Sequence, residues 1–297
     1  MMRKSWLPAY IALGFIWGCS FIFIELGLEF LTPFGVAFVR CALGAITLLI
    51  FVKIRKIQLP KEKSTWRKLW IVALLLNVVP GILFAFAQQY VTSVLAGIIN
   101  ATTPLMTLIF MLILFREEKL KGEQIIGLLI GAFGVMVVLG IWKGVGENQL
   151  LGVIALLVAV ACYGYSFPYT TRKILPLGLK PEAAATVQLC MAAITLLPFY
   201  LFDGIAEDNY QLNSLLAMLA LGVLGSGFAY IWNFSIIAAV GSSIASTVTY
   251  VTPVVAVFVG WLFLAEPVTW HEPVGAMFVI LGAAITQGRF KSKAVNR

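Results

Sequence analysis

A single arginine, Arg40, sits inside the apolar run 33–53, seven residues from its start. At about 1.5 Å of rise per helical residue that is roughly 10 Å below the edge of a membrane. A charge at such depth costs about 2.5–3.5 kcal/mol on insertion scales, so it needs a use or a partner. The use would be to meet a carboxylate or phosphate on a substrate. The plain alternatives are a pair with Glu25, a capped carbonyl, or a side chain reaching back to the interface. Glu25, near the end of the first apolar run, is the acid best placed to take up and release a proton, or else an interfacial acid in water. Glu29 reads as a loop residue.

Other chemistry is thin. His271 with Glu266 and Glu272 is the one His–acid grouping, and its spacing does not suit a metal. Cys19, Cys41, Cys162 and Cys190 all lie in apolar runs and read as small buried hydrophobes. There is no CxxC pair, no zinc spacing and no GxxxxGK[ST] phosphate loop, so neither a metal, an ATP drive nor any other cofactor is expected.

A second group of residues could line a cavity: Trp17, Ser20, Gln88, Gln89, Asn100, Tyr163, Tyr165, Gln188, Tyr230, Trp232, Asn233 and Tyr250. An amide in lipid must find a partner, so these should face a bundle interior, as ligands or as helix–helix hydrogen bonds. Flat rings with one polar atom suit small organic substrates. Pro104 and Pro253 fall near the middle of two apolar runs, where each removes a backbone donor. Thr102, Thr103, Thr249 and Thr252 stand beside them and could satisfy the freed groups.

The elements that carry these residues follow from composition. Hydrophobic residues make up 61% of the chain and charged ones 11%, against about 25% charged in a soluble domain. That excludes a soluble enzyme or a nucleic-acid-binding protein; the solvent for most of this chain is membrane lipid. Ten apolar runs near the length of a ~30 Å hydrocarbon core can be placed at 6–28, 33–53, 69–90, 94–115, 123–142, 151–171, 182–202, 213–237, 242–264 and 270–288. The first is too long for a signal-peptide core and lacks a small-residue cleavage site.

The net charge of +8 is distributed unevenly. With the N-terminus cytoplasmic, 19 basic residues fall in inside loops, only Lys143 falls outside, and eight of the 13 acids face outward. That is the positive-inside pattern, with both termini cytoplasmic.

The chain also repeats itself. Residues 40–51, RCALGAITLLIF, match residues 188–199, QLCMAAITLLPF, at six of 12 positions, which sets Arg40 against Gln188. Gly18-Cys19-Ser20-Phe21 parallels Gly164-Tyr165-Ser166-Phe167, and Pro33 parallels Pro181. Ser93, Ala96, Thr103, Pro104 and Glu117 each match the residue 149 later. The expected fold is therefore all-α and membrane-embedded, with ten transmembrane helices as two five-helix repeats, 1–145 and 146–297. Five spans is an odd number, so the second repeat enters the membrane inverted. Inverted repeats with helices broken at matched places are the mark of secondary transporters whose substrate site lies between the halves. The GxxxG of Gly127 and Gly131, with Gly134, Gly275 and Gly282, reads as helix packing or a homodimer contact.

In these features the chain resembles the drug/metabolite transporter superfamily, EamA type. The residues that carry the resemblance are Trp17-Gly18, Arg40, Leu95-Ala96 through Pro104, Glu117, Gly127 and Gly134. In the second half they are Tyr230-Ile231-Trp232-Asn233, Ser242, Ala245, Tyr250-Val251-Thr252-Pro253, Glu266, Gly275 and Gly282. The chain departs from the pattern at Glu25, where a basic or small polar residue is common, and at Tyr163, where a tryptophan is expected. The resemblance implies a ten-helix bundle exporting small metabolites, amino acids or drugs across a bacterial inner membrane. A channel or scaffold, and a membrane-embedded enzyme, are the competing readings.

Overall fold

The computed structural model describes residues 6–114, 122–140, 142, 147–206, 210–264 and 269–286. These residues form thirteen α-helices and no β-strand. In chain order they are α1 (Leu7–Gly27), α2 (Pro33–Ile54), α3 (Lys63–Ala73), α4 (Val79–Ala87), α5 (Ser93–Asn100), α6 (Thr103–Leu114) and α7 (Gly122–Val138). Then come α8 (Glu147–Tyr169), α9 (Pro181–Asp203), α10 (Leu212–Gly222), α11 (Ala229–Ala245), α12 (Val251–Leu264) and α13 (His271–Thr286). Seven helical stretches are long and apolar enough to cross a membrane, so this is a multi-pass membrane protein.

Local chemistry sets the helix starts. Thr32 caps α2 by accepting from the Gly35 amide at 3.2 Å, and Pro33 follows where its missing N–H is no loss. Thr92 caps α5 in the same way, accepting from the Leu95 amide at 3.1 Å. The stretch 212–263 is 52 residues long, about twice one crossing. It is broken at Gly241, whose φ of 77° and ψ of 170° lie in a region open to glycine alone.

Two stretches widen into π-helix: Leu74–Val78 between α3 and α4, and Val223–Phe228 between α10 and α11. A third lies at Thr170–Ile174. Pro104 and Pro253 both sit at helix starts. Pro104 is the second residue of α6, after a turn at 101–102, and Pro253 is the third of α12, after a 3₁₀ segment at Ser246–Tyr250. Their missing donors fall in first turns, where none is needed. The neighbouring threonines satisfy carbonyls there: Thr102 Oγ1 donates to Ile99 O, Thr103 to Asn100 O, Thr249 to Ser246 O and Thr252 to Thr249 O, at 2.7–2.9 Å.

The helices pack in a definite pattern. α1 lies against α12 and α10, while α8 lies against α6 and α4. α2 packs antiparallel on α9, with Phe34 stacked on Phe199 and Phe38 on Tyr200. α7 packs on α13 along the glycines singled out above. A methyl group on Gly134 would come within 2.6 Å of the Val279 amide, and one on Gly282 within 2.4 Å of the Gly131 amide. The small-residue face thus has an occupant inside the chain.

The two ends differ in charge. The end of α2, the start of α3, the segment after α8 and the start of α9 gather Lys53, Arg55, Lys56, Lys61, Lys63, Arg67, Lys68, Arg172, Lys173 and Lys180. At the opposite end Thr32 Oγ1 donates to Asp203 O at 2.5 Å, Leu31 pairs with Ile205 in an isolated antiparallel bridge, and Ser214 bonds Glu29. Glu117, Glu266 and Lys143 lie outside the described residues.

Candidate functional site

Where α1, α2, α4, α8 and α11 converge with both helix breaks, they enclose a cavity lined by six of the predicted residues: Trp17, Ser20, Arg40, Asn100, Tyr163 and Tyr230. Trp17 is in the middle of α1, and Arg40 is seven residues into α2. Thr103 and Thr249, from the two breaks, also line it. The wall is otherwise apolar: Phe21, Ile24, Leu76, Phe84 and Phe167. Tyr163 stacks on Phe84 with ring centres 5.6 Å apart, and Trp17 meets Tyr230 edge-on at 6.0 Å.

The π-helical stretches shape this wall. A π-turn frees carbonyls from the usual ladder and is common at functional sites. Here the freed groups are used: Trp17 Nε1 donates to Gly225 O at 3.2 Å, and Tyr230 OH donates to Leu76 O at 2.9 Å. Both rings are thereby pinned. Arg40 is 7% exposed. Its Nε donates to Ser226 Oγ, within the second π-stretch, at 3.1 Å. No carboxylate pairs with it among the described residues. A pair with Glu25, one of the alternatives for Arg40, is therefore not made.

The two helix breaks touch each other as well. Asn100 Nδ2 donates to Thr252 Oγ1 at 3.3 Å, across 152 residues of sequence. The cavity is narrow, about 50 Å³. At about 10–15 Å³ per water it holds a few waters, and a metabolite needs it wider.

The other seven predicted lining residues stand elsewhere. Gln88 is buried behind α1, donating through Nε2 to Phe21 O at 2.9 Å and Glu25 Oε2 at 3.2 Å. Gln188 is fully buried against Asn77. Tyr165 packs edge-on against Phe110, and Trp232 belongs to an apolar cluster around Leu13 and Ile236. Asn233 is buried, with neither amide atom hydrogen-bonded. Tyr250 is half-buried beside Thr249, and Gln89 is exposed in the turn after α4. Glu25 is half-buried and does not line the cavity. Sequence reasoning missed Asn77 and Ser226. The signal was present: they are polar residues 149 apart, at matched positions of the repeat.

The comparisons with known proteins agree with one another. The EamA-like transporter family profile matches residues 4–140 and again 150–287. The chain is 24% identical to the uncharacterized transporter YoaV of Bacillus subtilis, over 96% of this chain and 97% of that one. It is 32% identical to the uncharacterized inner membrane transporter YedA of Escherichia coli K12, over 88% of this chain and 84% of that one. One solved crystal structure superposes with a TM-score of 0.70 at 18% identity, covering 98% of this chain and 100% of its own. That last likeness concerns the fold alone.

Proposed function

Because this chain belongs to the EamA-like transporter family, we propose that it is a secondary transporter, moving small metabolites across the bacterial inner membrane by alternating access, in the direction of export. The observation that carries the reading is the cavity, built from both halves of the chain and lined, among the described residues, by one charged side chain. Cavities at the interface of two repeats are where such transporters hold their substrates.

The inverted repeat supports the mechanism. On the reading of five crossings in 1–145 and five in 146–297, the 52-residue stretch 212–263, broken at Gly241, counts as two and the shorter helices α7 and α13 count as one each. Contacts exchange when the halves are exchanged. Gly18 of α1 abuts Val255 of α12, while its counterpart Gly164 of α8 abuts Met106 of α6. Two similar half-structures inserted in opposite senses can close either face of the membrane around one site. The Thr32–Asp203 and Leu31–Ile205 contacts are the gate on the acidic side. The gathering of basic residues at the other end supports its being cytoplasmic, with both termini there. Glu25, held by Gln88 beside the cavity, is the proton-coupling group.

The experiment is release from proteoliposomes loaded with amino acids, organic acids and cationic drugs, followed by mass spectrometry with and without a pH gradient. Selective release of one class supports transport. Release of nothing, or single-channel currents in a planar bilayer, rejects the reading, the latter in favour of a channel.

A further inference from the structure

Arg40 and Gln188 occupy matched positions in the two halves, and so do Ser226 and Asn77. Each pair makes the same bond. Arg40 Nε donates to Ser226 Oγ at 3.1 Å, joining α2 to the π-stretch 223–228. Gln188 Nε2 donates to Asn77 Oδ1 at 2.5 Å, joining α9 to the π-stretch 74–78. In the second half a neutral amide does the structural task. The positive charge in the first half is therefore surplus to helix packing.

The surplus faces the cavity. A guanidinium has five N–H donors, and Ser226 takes one. The Nη groups have no protein acceptor among the described residues, while Arg40 lines the cavity and Gln188 does not. A buried cation left without a counter-charge is costly, and an anion in the cavity would relieve that cost through charge-assisted hydrogen bonds. Among the described residues no acid lines the cavity to receive an ammonium group. The rest of the wall carries the rings of Trp17, Phe84, Tyr163, Phe167 and Tyr230, with Ser20, Asn100, Thr103 and Thr249 as neutral polar groups.

We propose that this cavity, on widening, binds net-anionic small molecules, one carboxylate on a flat apolar body, in preference to zwitterionic amino acids or cations. The carboxylate meets the outer edge of the Arg40 guanidinium, and Ser226 is the positioning residue that aims it. This rests on the transport reading of the same cavity, but its test needs no transport.

The test is binding to purified protein in detergent, read by thermal shift, with four probes that share one ring: phenylacetate, phenylalanine, phenethylamine and 2-phenylethanol. Phenylacetate is expected to raise the melting temperature most. Arg40→Gln, which places in the first half the residue type the second half already uses, is expected to fold and to bind phenylacetate at least tenfold more weakly. Arg40→Lys keeps the order of preference and guards against a folding failure. Ser226→Ala raises the apparent Kd for phenylacetate about threefold to tenfold with no change for 2-phenylethanol, and Ser226→Thr restores it. The proposal is overturned if phenethylamine, phenylalanine or 2-phenylethanol binds as well as phenylacetate. It is equally overturned if phenylacetate does not bind, or if Arg40→Gln binds it as wild type does. Anion binding without any release from liposomes would leave this inference standing and remove the transport reading instead.

Discussion

The Gln188 amide donates to the Asn77 amide oxygen at 2.5 Å, deep between α9 and the π-helical stretch that precedes α4. Gln188 is fully buried, and neither its own oxygen nor the Asn77 nitrogen has a hydrogen-bond partner. The pair is the counterpart of Arg40 and Ser226 on the opposite half of the bundle. Together the two bonds fasten the paired helices α2 and α9 to both π-stretches.

Breaking that bond from one side should be worse than removing it. Asn77→Ala strands a buried donor on Gln188, at a cost of about 1–3 kcal/mol. Asn77→Leu with Gln188→Leu removes both polar groups and should recover most of the loss. Thermal melts in detergent check this. A double variant no more stable than Asn77→Ala would show that the contact is not the source of the effect.

The clasp on the acidic side should be lockable. Leu31 and Ile205 pair across an antiparallel bridge, where Cα atoms lie about 4.5–5.5 Å apart, within disulfide range. Leu31→Cys with Ile205→Cys should cross-link on oxidation and stop transport, and reductant should restore it. Transport that continues through a fully formed cross-link would mean the clasp does not open during the cycle.

The seam between α7 and α13 should tolerate nothing larger than glycine. A methyl at position 282 would sit 2.4 Å from the Gly131 amide and 2.5 Å from Gly127 O, backbone atoms that cannot turn aside. Gly282→Ala should cost about 1–3 kcal/mol, the range for overpacking. The protein that does fold should retain its transport rate, since neither helix lines the cavity. Melting temperature and rate per folded molecule measure the two effects separately.

Glu25 should matter for energy coupling rather than for binding. Its Oε2 accepts from Gln88 Nε2, which also holds the Phe21 carbonyl beside the cavity. Glu25→Gln keeps the shape and removes the titrating group. Transport driven by a pH gradient should fall at least tenfold, with exchange at equal pH unchanged. A variant that still follows the gradient would assign the proton to another group.

Much of the architecture was legible before any coordinates. Apolar run length is set by bilayer thickness, so a multi-pass chain could be read from residue counts, and seven helical stretches of the structure meet that length. The duplicated ITLL segment, the paired prolines and the Gly18/Gly164 motif marked matched places in two halves. Trp17, Ser20, Arg40, Asn100, Tyr163 and Tyr230 were recognisable because a polar or aromatic group in lipid must face the interior.

Which interior face each residue occupies was not legible. Asn233 and Trp232 follow Tyr230 by only three and two positions, yet Tyr230 reaches the cavity and they do not. At about 100° per residue, direction depends on helix rotation, and the π-stretch 223–228 resets that rotation just before α11. A π-turn leaves no pattern in hydropathy, because it changes how carbonyls are shared and not which residues are apolar. The sequence by itself thus determined that the chain is an apolar, multi-pass membrane protein with matched residues in its two halves. Tertiary structure decided that Arg40, and not its twin Gln188, faces the cavity, through the packing of α2 and α9 against two π-stretches 149 residues apart.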